Sequence, residues 1–131
     1  MDAGAVNRFL NEYLEAFAAC VRGEREIDSL LAYYGVPLII TSDAGVITLT
    51  TDSDVVTVIQ SQIDGLRGLR YRQTEVLQSQ VTGLNATSAL YRASLVRRDD
   101  TGKEIGCPTV TYVVTDGDAG PRIAVLAAHG N

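Results

Sequence analysis

Apolar residues recur with helical spacing through the first half of the chain and with strand-like density through the second. From Ala3 to Arg22, Val6, Phe9, Leu10, Tyr13, Leu14, Phe17 and Val21 form one stripe, while Asn7, Arg8, Asn11, Glu12 and Glu15 take the other side, as on an amphipathic helix. Asp2 is placed to cap its start and Gly23 ends the pattern. Ile27, Leu30, Leu31 and Tyr34 repeat the spacing, which predicts a second, short helix over Glu26 to Tyr34. Gly35 would close it in a left-handed conformation and Pro37 would bar its resumption. Leu38 to Thr41 then reads as a strand, Asp43-Ala44-Gly45 as a tight turn, and Val46 to Thr50 as the antiparallel return. Thr51 followed by Asp54 has the spacing of a capping box, and Val55, Val56, Ile59, Ile63 and Leu66 make the buried stripe of a third helix.

Beyond Gly68 the helical period disappears. Tyr71 to Val81, Ser88 to Arg98, Glu104 to Thr115 and Arg122 to Ala128 read as strands joined by short turns, the first of them at Gly83-Leu84-Asn85. Such short connections predict antiparallel pairing between successive strands. Pro108 has no N–H for a ladder, so a bulge or an unpaired edge position is expected there. The expected fold class is α+β: three helices in the N-terminal half, packed on a strongly curved antiparallel sheet of about six strands, a cone with an apolar interior. Apolar residues alternate onto both strand faces, Leu90 and Val96 against Tyr91 and Leu95, so the outer face has surface left to bury and a homodimer through the sheet is expected.

At 131 residues the chain reads as a single domain over residues 1–131. A net charge of −5 argues against nucleic acid or an anionic membrane as partner, and the arginines at 67, 70, 72, 92, 97 and 98 read as a solvated strand face. No apolar run is long enough to span a bilayer. The N-terminal stretch MDAGAVNRF lacks the pattern of a secretory signal, so a cytoplasmic location is expected. Cys20 and Cys107 are then expected as buried free thiols. With one histidine and no Cys/His cluster, neither a metal nor an organic cofactor is expected.

The element order, with EYLEAF on the first helix, SLLAYYGVPLIITSDAG through the second helix and first strand, and TYVVTDGDAGPRIAVLAAH in the closing meander, resembles the nuclear transport factor 2-like superfamily. That group includes the ketosteroid isomerases and the SnoaL-like polyketide cyclases, and the resemblance runs over nearly the whole chain. The isomerase branch uses a tyrosine on the first helix as oxyanion donor and an aspartate just past the first strand as general base. Tyr13 and Asp43 stand at positions similar to these, so the resemblance implies them as catalytic residues. The chain departs from that branch in three places. No acid lies between Gly106 and Thr115 to act as second donor, the link between the first two helices is longer, and His129 is no counterpart of the cyclase histidine.

The chemistry open to such a pair is proton transfer. A carboxylate in a dry cavity becomes a better base near neutral pH, and a phenol beside it can stabilise an enolate oxygen. Equally, Asp43 has the form of a turn residue and Tyr13 of a core aromatic. A strongly curved sheet leaves more volume at its open end than three helices fill. A cavity between the first helix and the concave face is therefore expected, lined by Phe9, Tyr13, Phe17, Tyr34 and Ile40 and suited to a small apolar molecule. Two functions remain open: an isomerase- or lyase-like acid–base enzyme, or a non-catalytic ligand-binding or dimerisation module on the same scaffold.

Overall fold

The computed structural model describes residues 1–130. Helix α1 spans Ala3–Val21, capped by the Asp2 carboxylate, which accepts a bond from the Ala5 N–H at 3.1 Å. Its predicted stripe is the buried one: Val6 and Leu10 are wholly covered, and Phe9, Tyr13 and Phe17 are buried. Helix α2 spans Asp52–Gly68, with Thr51 Oγ1 accepting from the Asp54 N–H and Val55, Ile59, Ile63 and Leu66 turned inward.

Seven strands form one sheet in the order β2-β1-β7-β6-β4-β3, with β5 paired to β4 beside that path. They are β1 (Tyr34–Ser42), β2 (Gly45–Leu49), β3 (Tyr71–Asn85), β4 (Ser88–Asp99), β5 (Glu104–Gly106), β6 (Thr109–Gly117) and β7 (Gly120–Ala128). Hairpin-linked pairs are antiparallel, as short turns dictate. The β1–β7 pair is parallel, which the sequence pattern did not foresee. These two strands are far apart in the chain and no hairpin fixes their relative direction.

Three local expectations are corrected. The second helix is a 3-10 turn over Ile27–Ala32, and Tyr34 already pairs with Ile123 as the first residue of β1. Gly35 is extended within that strand, where a Cβ would touch Arg122 and the Ile123 carbonyl at 3.5 Å. Pro37 lies inside the strand rather than before it, and the β1–β7 register shifts between Tyr34 and Ile39, across the residue that lacks an N–H. Secondly, β3 runs on through Gly83 and Leu84. The turn comes after Asn85, whose Oδ1 accepts bonds from the Thr87 N–H and from the Thr87 and Ser88 hydroxyls. Thirdly, Pro108 splits the expected third strand of the meander into β5 and β6, while its carbonyl accepts from the Leu95 N–H at 2.9 Å.

Alternation on β4 fixes the two faces of the sheet. Ala89, Tyr91, Ala93 and Leu95 are buried, and in register beside them stand Val114, Tyr112 and Val110 of β6, then Ile123, Leu126 and Ala128 of β7. The Met1 ammonium donates to the Asn85 carbonyl at 2.9 Å, and Arg22 donates to the Arg72 carbonyl at 2.8 Å. These contacts set α1 along β3, its start at the β3–β4 turn and its end beside the start of β3. Arg67 of α2 donates to the Val21 and Cys20 carbonyls at 3.0 and 2.9 Å, closing the last turn of α1. Cys20 is buried on α1 as expected, but Cys107 is exposed between β5 and β6. The interruption between β5 and β6 leaves it outside the alternation that would have hidden it.

Candidate functional site

The expected cavity lies between the second half of α1 and the concave face, with a volume of about 170 Å³. Its walls are Leu14, Phe17, Leu95, Val110 and Leu126, with Pro108 and Ala128 from the strand ends. Its polar groups are the phenols of Tyr13 and Tyr112, the guanidinium of Arg97, Thr74, and Gln62 reaching over from α2. A larger space of about 440 Å³ lies over β3 and β4 around Gln78, Ser79, Gln80 and Arg92. That one is a polar surface groove where the β3 register bulges between Val76 and Gln78, with nothing to keep water out.

Tyr13 is the hub of the enclosed site. Its ring meets Tyr34 and Tyr112 edge-on at centroid distances of 5.5 and 5.9 Å and lies 6.2 Å from Phe17. Its hydroxyl shares a 2.5 Å hydrogen bond with the Tyr34 hydroxyl, either of which can be the donor. Burial pushes the Tyr13 phenol well above its ordinary range, and Tyr34 and Tyr112 rise for the same first reason. The nearby charge of Arg97 pulls Tyr13 and Tyr112 the other way. All three are therefore neutral hydrogen-bonding groups at physiological pH.

The six residues singled out from sequence fall in three places. Tyr13 and Phe17 line the cavity. Phe9, Tyr34 and Ile40 do not: Phe9 packs on the Tyr33 ring at 5.7 Å, Tyr34 stands behind Tyr13, and Ile40 pairs across β7 with Leu126. Asp43 is exposed at the β1–β2 turn and is not part of the lining. The turn's own bond is made by its neighbour, since the Ala44 N–H donates to Ser42 Oγ, while Gly45 takes the positive φ of 136°. A side chain at Gly130 would collide with the Asp43 carboxylate, so the C-terminal segment passes directly beside it. Asp43 and Tyr13 are thus not brought together in the cavity.

Sequence reasoning missed Arg97, which it assigned to a solvated face. Arg92 and Arg98 do face outward, but Arg97 shares the parity of Tyr91 and Leu95 and turns toward α1. Strand alternation alone could have separated it from its neighbours. Tyr112 on β6 is another lining residue that the sequence pattern does not single out. Among the described residues no cluster of His, Cys, Asp or Glu could hold a metal ion, and no helix is long and apolar enough to cross a membrane.

A curved sheet wrapped over a long N-terminal helix, with a small cavity toward its open end, is the architecture of an NTF2-like α+β cone. The chain belongs to that family: the model described as NTF2-like protein (DUF6841) matches residues 2–131. Among solved structures it is similar to a cystatin-like-fold domain from Nostoc punctiforme PCC 73102, at 20% identity over 99% of this chain and 77% of that one, TM-score 0.70. An NTF2-like protein from Shewanella oneidensis MR-1 matches at 14% identity over 99% of this chain and 100% of that one, TM-score 0.73. Another from Pseudomonas aeruginosa matches at 17% identity over 95% and 97%, TM-score 0.73. All three are described as being of unknown function, and at these identities the likeness is one of fold. No curated protein matches the chain.

Proposed function

We propose that the chain is a small-molecule-binding domain whose ligand occupies the cavity between α1 and the concave face, and that it binds without catalysing. The observation that carries this is the composition of the cavity wall: aliphatic and aromatic side chains with a few convergent donors, and no carboxylate or histidine among them. An engineered apolar cavity of about 150 Å³ accepts benzene, so about 170 Å³ suits a ligand of that order of size. An acid–base enzyme using Asp43 and Tyr13 is the competing proposal. Tyr13 serves it well, but a base at an exposed hairpin tip has neither the dry surroundings nor the reach that proton abstraction in the cavity requires. Native mass spectrometry of the purified protein tests the binding proposal. A retained or added small aromatic compound should appear as a mass shift that Val110→Phe, which fills the cavity, abolishes. A mass shift indifferent to that substitution would overturn the assignment of the cavity.

We further propose that two copies pair through the outer face of the sheet. Support comes from a row of apolar residues in register across four strands, Leu90, Val113, Val125 and Ile39, all only half-buried. Val113→Asp, in the middle of that row, should convert a dimer to a monomer in sedimentation velocity at micromolar concentration. A wild-type protein already monomeric under those conditions would defeat the proposal.

A further inference from the structure

Of the arginines that make no ion pair or side-chain hydrogen bond with a described residue, Arg8, Arg25, Arg72 and Arg92 are exposed to water, and only Arg97 is half-buried. Arg22 pairs with Glu15 and Glu24 at 2.9 Å, Arg70 with Asp100 at 2.8 Å, and Arg98 with Glu75 at 3.0 Å. Arg67 is spent on the α1 carbonyls. Arg97, half-buried and lining the cavity, makes no ion pair and no side-chain hydrogen bond with any described residue. Carboxylates are not scarce, since acids outnumber Lys and Arg by 16 to 11. The cavity wall simply contains none.

A guanidinium in partly desolvated surroundings has lost part of its hydration without a protein counter-charge, so an anion entering the cavity meets a strong and uncontested field. Tyr112 also lines the cavity, and its hydroxyl bonds no described residue, so it offers a second donor there. We infer that the ligand is a small monocarboxylate with an apolar body, its carboxylate held by Arg97 and its body among Phe17, Leu95, Val110 and Leu126. The planar fork of arginine matches a carboxylate through two parallel bonds. One positive charge and a mostly apolar wall balance a monoanion but not a phosphate or a dicarboxylate. The volume admits a body about the size of one benzene ring.

This inference rests on the cavity being the binding site, and the experiment separates the two. Benzoate, benzyl alcohol and benzylamine are titrated into 15N-labelled protein, with dissociation constants read from amide shifts. Benzoate should bind at least tenfold tighter than benzyl alcohol and benzylamine should bind weakest, with shifts concentrated at Tyr112, Leu126 and Leu95. Arg97→Met should weaken benzoate at least tenfold while leaving benzyl alcohol unchanged. Arg97→Lys, which keeps the charge and loses the fork, should fall between. Equal affinity for benzoate and benzyl alcohol, or full benzoate affinity in Arg97→Met, would overturn the anion inference and leave the cavity standing. If none of the three probes shifts the cavity amides, the inference and the binding site fall together.

Discussion

The concave side of the sheet has two ends that use the same materials differently. Near the β3–β4 turn, Ala89, Val114 and Ile123 stand abreast on three strands and each is 0% exposed, as are Val6 and Leu10 from the first half of α1. Toward the other end the rungs are Tyr91–Tyr112–Leu126 and Ala93–Val110–Ala128, and here the cavity opens against Tyr13 and Phe17. The first end is aliphatic and close-packed. At the second, aromatic rings meet edge to face, and the Tyr13 and Tyr34 hydroxyls share a hydrogen bond. Rigid rings meeting at 78° and 82° fill space less completely than interlocked aliphatic chains, and two phenols with one guanidinium keep the remaining space polar at one side. The fold is close-packed at one end of its cone and leaves a cavity at the other.

The largest expected effect tests that division directly. Ala89→Leu forces extra methylenes into a filled rung and should cost about 1–3 kcal/mol. Val110→Phe enlarges a residue that faces the void and should change stability by less than about 1 kcal/mol while abolishing ligand binding. Urea denaturation of both variants at neutral pH makes the comparison. Equal losses would mean that the cavity end is packed as tightly as the other.

The phenols around Tyr13 give the open end a pH signature. Burial raises Tyr13, Tyr34 and Tyr112 above the ordinary phenol range, so the folded protein keeps protons that an unfolded chain gives up near pH ~10. Below about pH 9 both states are protonated and these residues leave stability independent of pH. Above that the unfolded state gains by ionising, and stability should fall by up to ~1.4 kcal/mol per pH unit for each such tyrosine. Tyr13→Phe should reduce the slope by one tyrosine's share, read from denaturation midpoints between pH 8 and 11. An unchanged slope would place the alkaline sensitivity elsewhere.

Much of the scaffold is written in local patterns. The α1 stripe, the Thr51 cap and the hairpin between β6 and β7 follow from spacing and turn chemistry alone, because each is decided by residues a few positions apart. The parallel β1–β7 pair is decided by elements at opposite ends of the chain, and no local rule reaches it. The same limit governs the site. Alternation sorts Arg97 from Arg92 and Arg98, but which set faces inward depends on where α1 lies across the sheet. Tyr13 was legible because it sits on a helical stripe whose buried face is unambiguous. Asp43 is similar in position to a base in related folds, yet it lies exposed in a turn and is not among the residues that line the cavity.

The smallest expected effect is therefore at Asp43, and it is the one that bears most on catalysis. The residue is exposed, makes no ion pair with a described residue, and leaves the turn's bond to Ser42. Its close neighbour is the backbone at Gly130, which Asn would crowd no more than Asp does, the two side chains being nearly the same size. Asp43→Asn should change stability by no more than about 0.5 kcal/mol, as for a surface substitution without a structural duty. It should also leave the affinity of the cavity for benzoate within twofold of wild type, because the removed charge lies outside the lining and a surface charge acts through screened, high-dielectric solvent. A tenfold change in affinity would carry the cavity out to the hairpin tip and erase the boundary between the two. Loss of a measurable turnover in this variant, with stability and affinity intact, would restore the acid–base enzyme and make the open end of the cone an active site.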